Sequence, residues 1–205
     1  MTYCLNNTFN IDEINVLRKI KGSKLLHIYT EEQIRENVLN TDIAHILLSI
    51  SNLEFHLHIK ETYTVLQESK EEFTRFSLEL VNKNRFQPYS EHKVITNGAV
   101  QTIPFSWKEF CINDTIKSIE LIRDIAEWEC NGNIWKITTD VALIFDTISS
   151  HILIILTDLE PLYIPISINS SKEDSELINT IWSQNSWGLL GIKLDKHIRK
   201  KIRVL

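Results

Sequence analysis

Residues 139–156 read TDVALIFDTISSHILIIL, two apolar runs separated by Ser149 and Ser150. Short runs rich in β-branched and aromatic residues, bounded by small polar ones, are strands joined by a tight turn. Within HILIIL (151–156) both alternating sets are apolar, Ile152 with Ile154 and Leu153 with Ile155. Alternate residues of a strand point to opposite faces of its sheet, so this strand is expected to be covered on both sides.

The same opening occurs earlier in the chain. TDIAHILLSIS at 41–51 lines up with TDVALIFDTIS at 139–149 with six of eleven residues identical, and Ile43 with Val141, Leu47 with Phe145 and Ser49 with Thr147 are conservative pairs. LEFHLHIK (53–60) then alternates Leu53, Phe55, Leu57 and Ile59 with Glu54, His56, His58 and Lys60, a strand with one core face and one wet face. The alignment predicts two antiparallel hairpins, 41–60 and 139–157, in corresponding positions of two pseudo-repeated halves. Each half has a helix-like lead-in (9–20; 110–118) and a strand before its hairpin (24–30; 119–129).

Working outward, Ile11, Ile14, Leu17 and Ile20 recur at helical spacing behind Asn10 or Asp12 as a cap. ESKEEFTRFSLELVN (68–82) sets Phe73, Phe76 and Leu80 on one stripe and predicts a helix. Leu162, Ile164, Ile166 and Ile168 predict a strand that Pro161 and Pro165 confine to an edge or bulge. A last helix follows Ser170 and Ser171. Acidic Glu173, Asp174 and Glu176 fill its first turn, and Leu177, Ile178, Ile181 and Trp182 form the stripe that covers the second sheet. The polar stretch 83–104, with Pro88, Gly98 and Pro104, divides an N-terminal half (1–98) from a C-terminal half (99–205), one continuous domain being the alternative. The expected fold class is α+β: antiparallel, β-rich sheets with a few packing helices.

The chain has 205 residues, 43% hydrophobic and 24% charged, an ordinary globular composition. Three widely spaced cysteines (Cys4, Cys111, Cys130) without a CxxC pair exclude a secreted disulfide framework, a zinc ribbon and a thioredoxin-type site. No basic-then-apolar leader opens the sequence, and no apolar run nears the roughly 18 residues of a membrane span. The expected setting is a reducing cytoplasm. A net charge of −5 conceals an asymmetry: in 193–205 six cations oppose Asp195 alone, a local +5, which leaves −10 on the remainder. An acidic body repels nucleic acid and attracts a basic partner, and the basic tail is expected to pair with that body within the fold.

The side chains that might carry chemistry each have a plainer role. His56 and His58 share one strand face, but a zinc site needs further ligands, so both are expected to face solvent without metal. Asp42 and Asp140, the two TD acids, are paired-carboxylate candidates that read better as turn caps before strands. Cys111 and Cys130 lack any nucleophile signature and read as small apolar residues. Trp128 and Trp135 bracket a turn at Asn131-Gly132, and Trp182 and Trp187 bracket SQNS; Trp182 reads as core and Trp187 as partly exposed. No phosphate-loop, dinucleotide, nucleophile-elbow or kinase motif is present. The expectation is therefore no catalytic residue, no cofactor and no metal.

The segment WKITTDVALIFDTISSHILIILTDLEPLYIPISI (135–168) resembles a pattern common in small immunity proteins of bacterial polymorphic-toxin and contact-dependent inhibition systems. There an acidic residue opens an apolar strand, a hairpin follows, and a proline leads into an aliphatic edge strand. The resemblance spans about a sixth of the chain and carries no site residue. It implies a non-catalytic cytoplasmic protein that neutralises a toxin by binding it, and many such toxins are basic nucleases. Two acidic runs in expected connections, Glu31, Glu32 and Glu36, and Asp158 and Glu160, are the candidate contacts, with Trp187 as an apolar one. The other readings are a binding or scaffold protein of another system and an enzyme with an unmarked site.

Overall fold

The computed structural model describes residues 1–33, 45–51, 53, 55–66, 71–82, 89–96, 99–155, 166–170, 172–185 and 194–204. Its elements run β1 (Thr2–Asn7), α1 (Ile11–Ile20), β2 (Lys24–Gln33), β3 (His45–Ile50), β4 (Phe55–Leu66), β5 (Glu71–Asn82), β6 (Tyr89–Thr96), β7 (Ala99–Cys130), β8 (Asn133–Thr147), β9 (His151–Ile155), β10 (Ile166–Ile168), α2 (Asp174–Asn185) and β11 (Lys196–Arg203). The fold is β-rich, with two helices among the described residues. None of these helices is long and apolar enough to cross a membrane.

The strands follow the order β10-β9-β8-β7-β2-β3-β4-β5, with β1 beside β8 and β6 and β11 beside β7. Every pairing is antiparallel except that of β1 with β8. The 32-residue β7 organises this arrangement. Its first part pairs with β6 and β2, and from Ile116 onward it pairs with β8 and β11. The handover is irregular: the ladder with β2 shifts register between Leu25 and His27, opposite Asn113, whose φ of 49° is left-handed. Such bulges bend and twist a strand. At its far end Asn131 and Gly132, both with positive φ, form the β7–β8 turn, the turn chemistry that matches the twist of a hairpin.

Both predicted hairpins are present as β3–β4 and β8–β9, and each belongs to a three-stranded meander, β2–β3–β4 and β7–β8–β9. One core lies between them. Leu25, Ile28, Ile46, Leu48, Leu57 and Ile59 from the first pack with Ile119, Leu121, Leu143, Phe145, Ile152 and Ile154 from the second, and Leu17 and Ile20 of α1 join them. A second core covers the opposite face of β7–β8–β9, where Ile122, Ala126, Ile144, Leu153 and Ile155 meet Ile178 of α2. The two alternating sets of HILIIL thus enter different cores, as their apolar character required.

Asn10 caps α1: its side chain accepts from Asp12 N and Glu13 N, and the Glu13 carboxylate accepts from Asn10 N at 2.6 Å. The other Glu13 oxygen accepts from Leu78 N of β5 at 3.0 Å, which ties the helix to the sheet.

Two helix expectations are corrected. Residues 68–82 contain strand β5, paired with β4 from Phe55↔Asn82 to Leu66↔Glu71. Phe76, Leu78 and Leu80 also alternate at period 2, and twelve cross-strand pairs outweigh a marginal helical stripe. Residues 110–118 lie within β7, where Phe110 and Ile112 pack on the main core. The polar stretch 83–104 is not all connection, since it holds β6 and the start of β7.

Candidate functional site

Three groups of ionisable side chains lie on the second meander, two of them on its α2 side and one against the start of α1. Asp124 of β7 is fully buried and grips Arg199 of β11 with both oxygens: Nε donates to Oδ1 at 2.7 Å and Nη2 to Oδ2 at 2.6 Å. His197 Nε2 lies 2.8 Å from Oδ2, and Arg199 Nη1 donates to Asn179 Oδ1 of α2 at 2.5 Å. Lys201 pairs with Glu120 at 2.5 Å, and this bond, though opposed by burial, holds the ammonium pKa above its ordinary value. Two cations of the basic tail, Arg199 and Lys201, therefore pair with acids of the body, because β11 runs antiparallel to β7 and sets them beside those acids.

Asp140 corrects the turn-cap reading. It sits in the interior of β8, which begins seven residues before it, at Asn133. Register shifts between Ile122 and Arg123, so that Arg123 lies opposite Asp140. Arg123 Nε donates to Oδ1 at 2.7 Å and Nη2 to Oδ2 at 3.1 Å, while Phe9 N donates to Oδ2 at 2.7 Å. The acid is a buried fastener between β8, β7 and the start of α1. Its counterpart Asp42 lies outside the described residues.

The third group borders a cavity of about 560 Å³ beside the N-terminal turn of α2. Ile122 and Ile178 form its apolar lining, and His151, Asp174, Arg199 and Lys201 its charged lining. His151 opens β9 and faces Asp146 across the hairpin. Its Nδ1 lies 2.6 Å from Asp146 Oδ1 and its Nε2 lies 2.7 Å from Asp174 Oδ1. Burial lowers the His151 pKa, but the bonds to Asp174 and Asp146 outweigh it and the net shift is upward. Burial likewise raises Asp146, and the bonds from His151 and Ser118 reverse it, so its carboxyl titrates below the ordinary range. Asp114 of β7 anchors the same turn by accepting from Thr147 Oγ1 at 2.7 Å and Ser149 N at 2.6 Å. Those hydrogen bonds hold its carboxyl far below the usual carboxylate range.

On the first meander the outer face is polar. Cross-strand register sets His27, Ser49 and His56 in one row and Tyr29, Leu47 and His58 in the next. His27 Nδ1 lies 2.7 Å from Glu109, the Tyr29 hydroxyl donates to Glu109 at 3.2 Å, and His58 Nδ1 lies 3.0 Å from Glu79. Burial and then the Glu109 carboxylate raise the Tyr29 pKa. The expectation that both histidines face solvent is corrected: His56 is buried with the Tyr29 ring edge-on at 5.5 Å, and His58 is half-buried. A central strand with neighbours on both edges screens its own outward residues when those neighbours carry rings. Among the described residues no group of three or more histidine, cysteine, aspartate or glutamate side chains is placed to hold a metal ion.

The remaining sequence candidates fall as follows. Glu31 and Glu32 lie in β2, opposite Trp107 and Ser106 of β7, and not in a connection. β2 is extended past residue 30 because β7 continues beside it. Glu36, Asp158, Glu160 and Trp187 lie outside the described residues, and so does the Trp182 side chain. Trp128 and Trp135 are a buried stacked pair, 6.0 Å apart and 7° from parallel. All three cysteines are free, and Cys111 is exposed where the sequence suggested a buried residue, because it lies on the outer face of β7 beside His27.

Sequence reasoning missed the Asp146–His151–Asp174 group and the Asp124–Arg199 fork. The first had a usable signal, since a turn at Ser149-Ser150 makes Asp146 and His151 cross-strand partners. The second had none, because nothing local fixes which residue of β7 faces Arg199. Compared with protein-family models, with curated proteins and with solved structures, the chain matches none of them.

Proposed function

We propose that this chain is a non-catalytic protein-binding protein, most specifically an immunity protein that neutralises a cognate bacterial toxin in the cytoplasm by direct binding through an acidic surface. The observation that carries the reading is the internal pairing of Arg199 and Lys201 of the basic tail. Arg199 and Lys201 are joined to Asp124 and Glu120, and Arg123 to Asp140. Each such pair is neutral, so the net charge of −5 resides on the rest of the molecule. A surface of that sign steers a basic partner toward it and raises the association rate. The resemblance of 135–168 to immunity proteins points to a toxin as that partner. Capture from the native cell tests this: a tight, stoichiometric, basic partner is expected, and recovery of the chain alone or with an acidic partner contradicts it.

A second reading, an enzyme with a site no motif marks, rests on the cavity that gathers His151, Glu173 and Asp174. It ranks lower because both ring nitrogens of His151 are engaged by carboxylates of the chain itself. A general acid or base needs a nitrogen within reach of the substrate proton.

We further infer that the two meanders descend from one duplicated unit, which the sequence match of 41–51 with 139–149 and the matching strand order β2–β3–β4 and β7–β8–β9 support. The halves 1–98 and 99–205 are the units of that duplication.

A further inference from the structure

His151 bridges the end of the β8–β9 hairpin and the first residue of α2. Its two ring nitrogens lie 2.6 and 2.7 Å from carboxylates on different elements, Asp146 of β8 and Asp174 of α2. A neutral imidazole carries one N–H and one lone pair, so one of those short approaches would set a lone pair against a carboxylate oxygen. Both become hydrogen bonds when the ring is an imidazolium.

The surroundings favour that form. Asp146 and Asp174 face the ring directly; Arg199 and Lys201 approach from β11 but are already joined to Asp124 and Glu120 of β7. At the rim Lys172 is paired with Glu176, and Glu173 adds a further negative charge. With the proton removed, two carboxylates on facing elements lose the cation between them and repel. The rest of α2 has other ties, Ile178 in the second core and Asn179 to Arg199, so the effect falls on its first turn.

We propose that the protonated ring of His151 is a clasp that holds the N-terminal turn of α2 against the β8–β9 hairpin, and that loss of its proton frees that turn and widens the cavity it walls. The linkage has a definite sign. A histidine whose folded pKa is raised stabilises fully below its unfolded value, near 6.5, and that contribution is lost as pH rises through the folded value. The clasp is independent of any partner.

Amide hydrogen exchange of Leu177, Ile178 and Asn179 tests it in the unmodified protein, expressed as protection relative to the intrinsic rate at each pH, with the His151 ring titration followed by NMR. Protection at these amides is expected to fall severalfold across that titration, while the β7–β8 ladder from Leu121 to Ala126 keeps its protection. In His151→Gln the fall disappears. Constant α2 protection across the titration, an equal fall in the ladder, or the same fall in His151→Gln overturns the clasp.

Discussion

The meanders β2–β3–β4 and β7–β8–β9 share one core and differ on their other faces. The first turns outward a row of histidines and Tyr29, whose acidic partners Glu109 and Glu79 keep side-chain exposures of 51% and 42%. The second turns outward Leu153, Ile155 and Ile122 beneath α2, and the acid set among them, Asp124, is 0% exposed. Similar strand order therefore carries two electrostatic regimes. Under a helix a carboxylate survives only with an arginine fork of its own, since an unpaired charge there is costly. Beside water a histidine–glutamate pair is screened and contributes little.

The sharpest way to break this contrast is to remove one acid from each face. Asp124→Ala leaves Arg199 without its buried partner and is expected to cost about 3–5 kcal/mol in denaturant unfolding. Glu109→Ala on the first face is expected to cost under about 1 kcal/mol. Equal losses would show that the two faces are electrostatically alike. A smaller effect comes from the apolar residues: Leu153→Ala is expected to cost about 2–5 kcal/mol, whereas His58→Ala, which removes only the pair with Glu79 on the polar face of β4, should cost under about 1 kcal/mol. A Leu153→Ala protein with an unchanged midpoint would mean that α2 does not cover β9.

The contrast was half legible in the sequence. HILIIL declared two buried faces because both of its alternating sets are apolar, and LEFHLHIK declared one. Asn10, Asn131-Gly132 and the acidic start of α2 were readable because caps and tight turns are local. The 68–82 stretch was misread because Phe73, Phe76 and Leu80 satisfy a helical spacing while Phe76, Leu78 and Leu80 satisfy a strand, and only pairing with β4 decides between them. Asp140 was misread for a related reason: the TD motif opens a strand only if β8 starts there, and the bulge that aims Asp140 at Arg123 leaves no local trace. Which carboxylates were fold-internal and which faced outward depended on where β11 and α2 docked, a long-range outcome.

A pH series sharpens the comparison further and is smaller in effect. Asp146 titrates below the ordinary carboxylate range, so its contribution is present above about pH 4 and is lost as pH falls through the lowered value. His151 acts oppositely, with a contribution lost as pH rises through its raised value. The second meander is thus expected to add a stability plateau bounded on both sides, read from unfolding midpoints between pH 2 and 9, and His151→Gln should flatten the alkaline limb. An alkaline limb of the same depth in that variant would assign it to another group.

The central claim concerns the acidic surface, and the association kinetics with the captured partner test it most directly. Charge reversal is made at Glu31, Glu32 and Glu36, and separately at Asp158 and Glu160. Each reversal is expected to slow association and to flatten its dependence on ionic strength. Association that is unchanged in rate and in salt dependence after reversal of both runs would contradict the acidic-surface account and leave Trp187 as the next residue to replace.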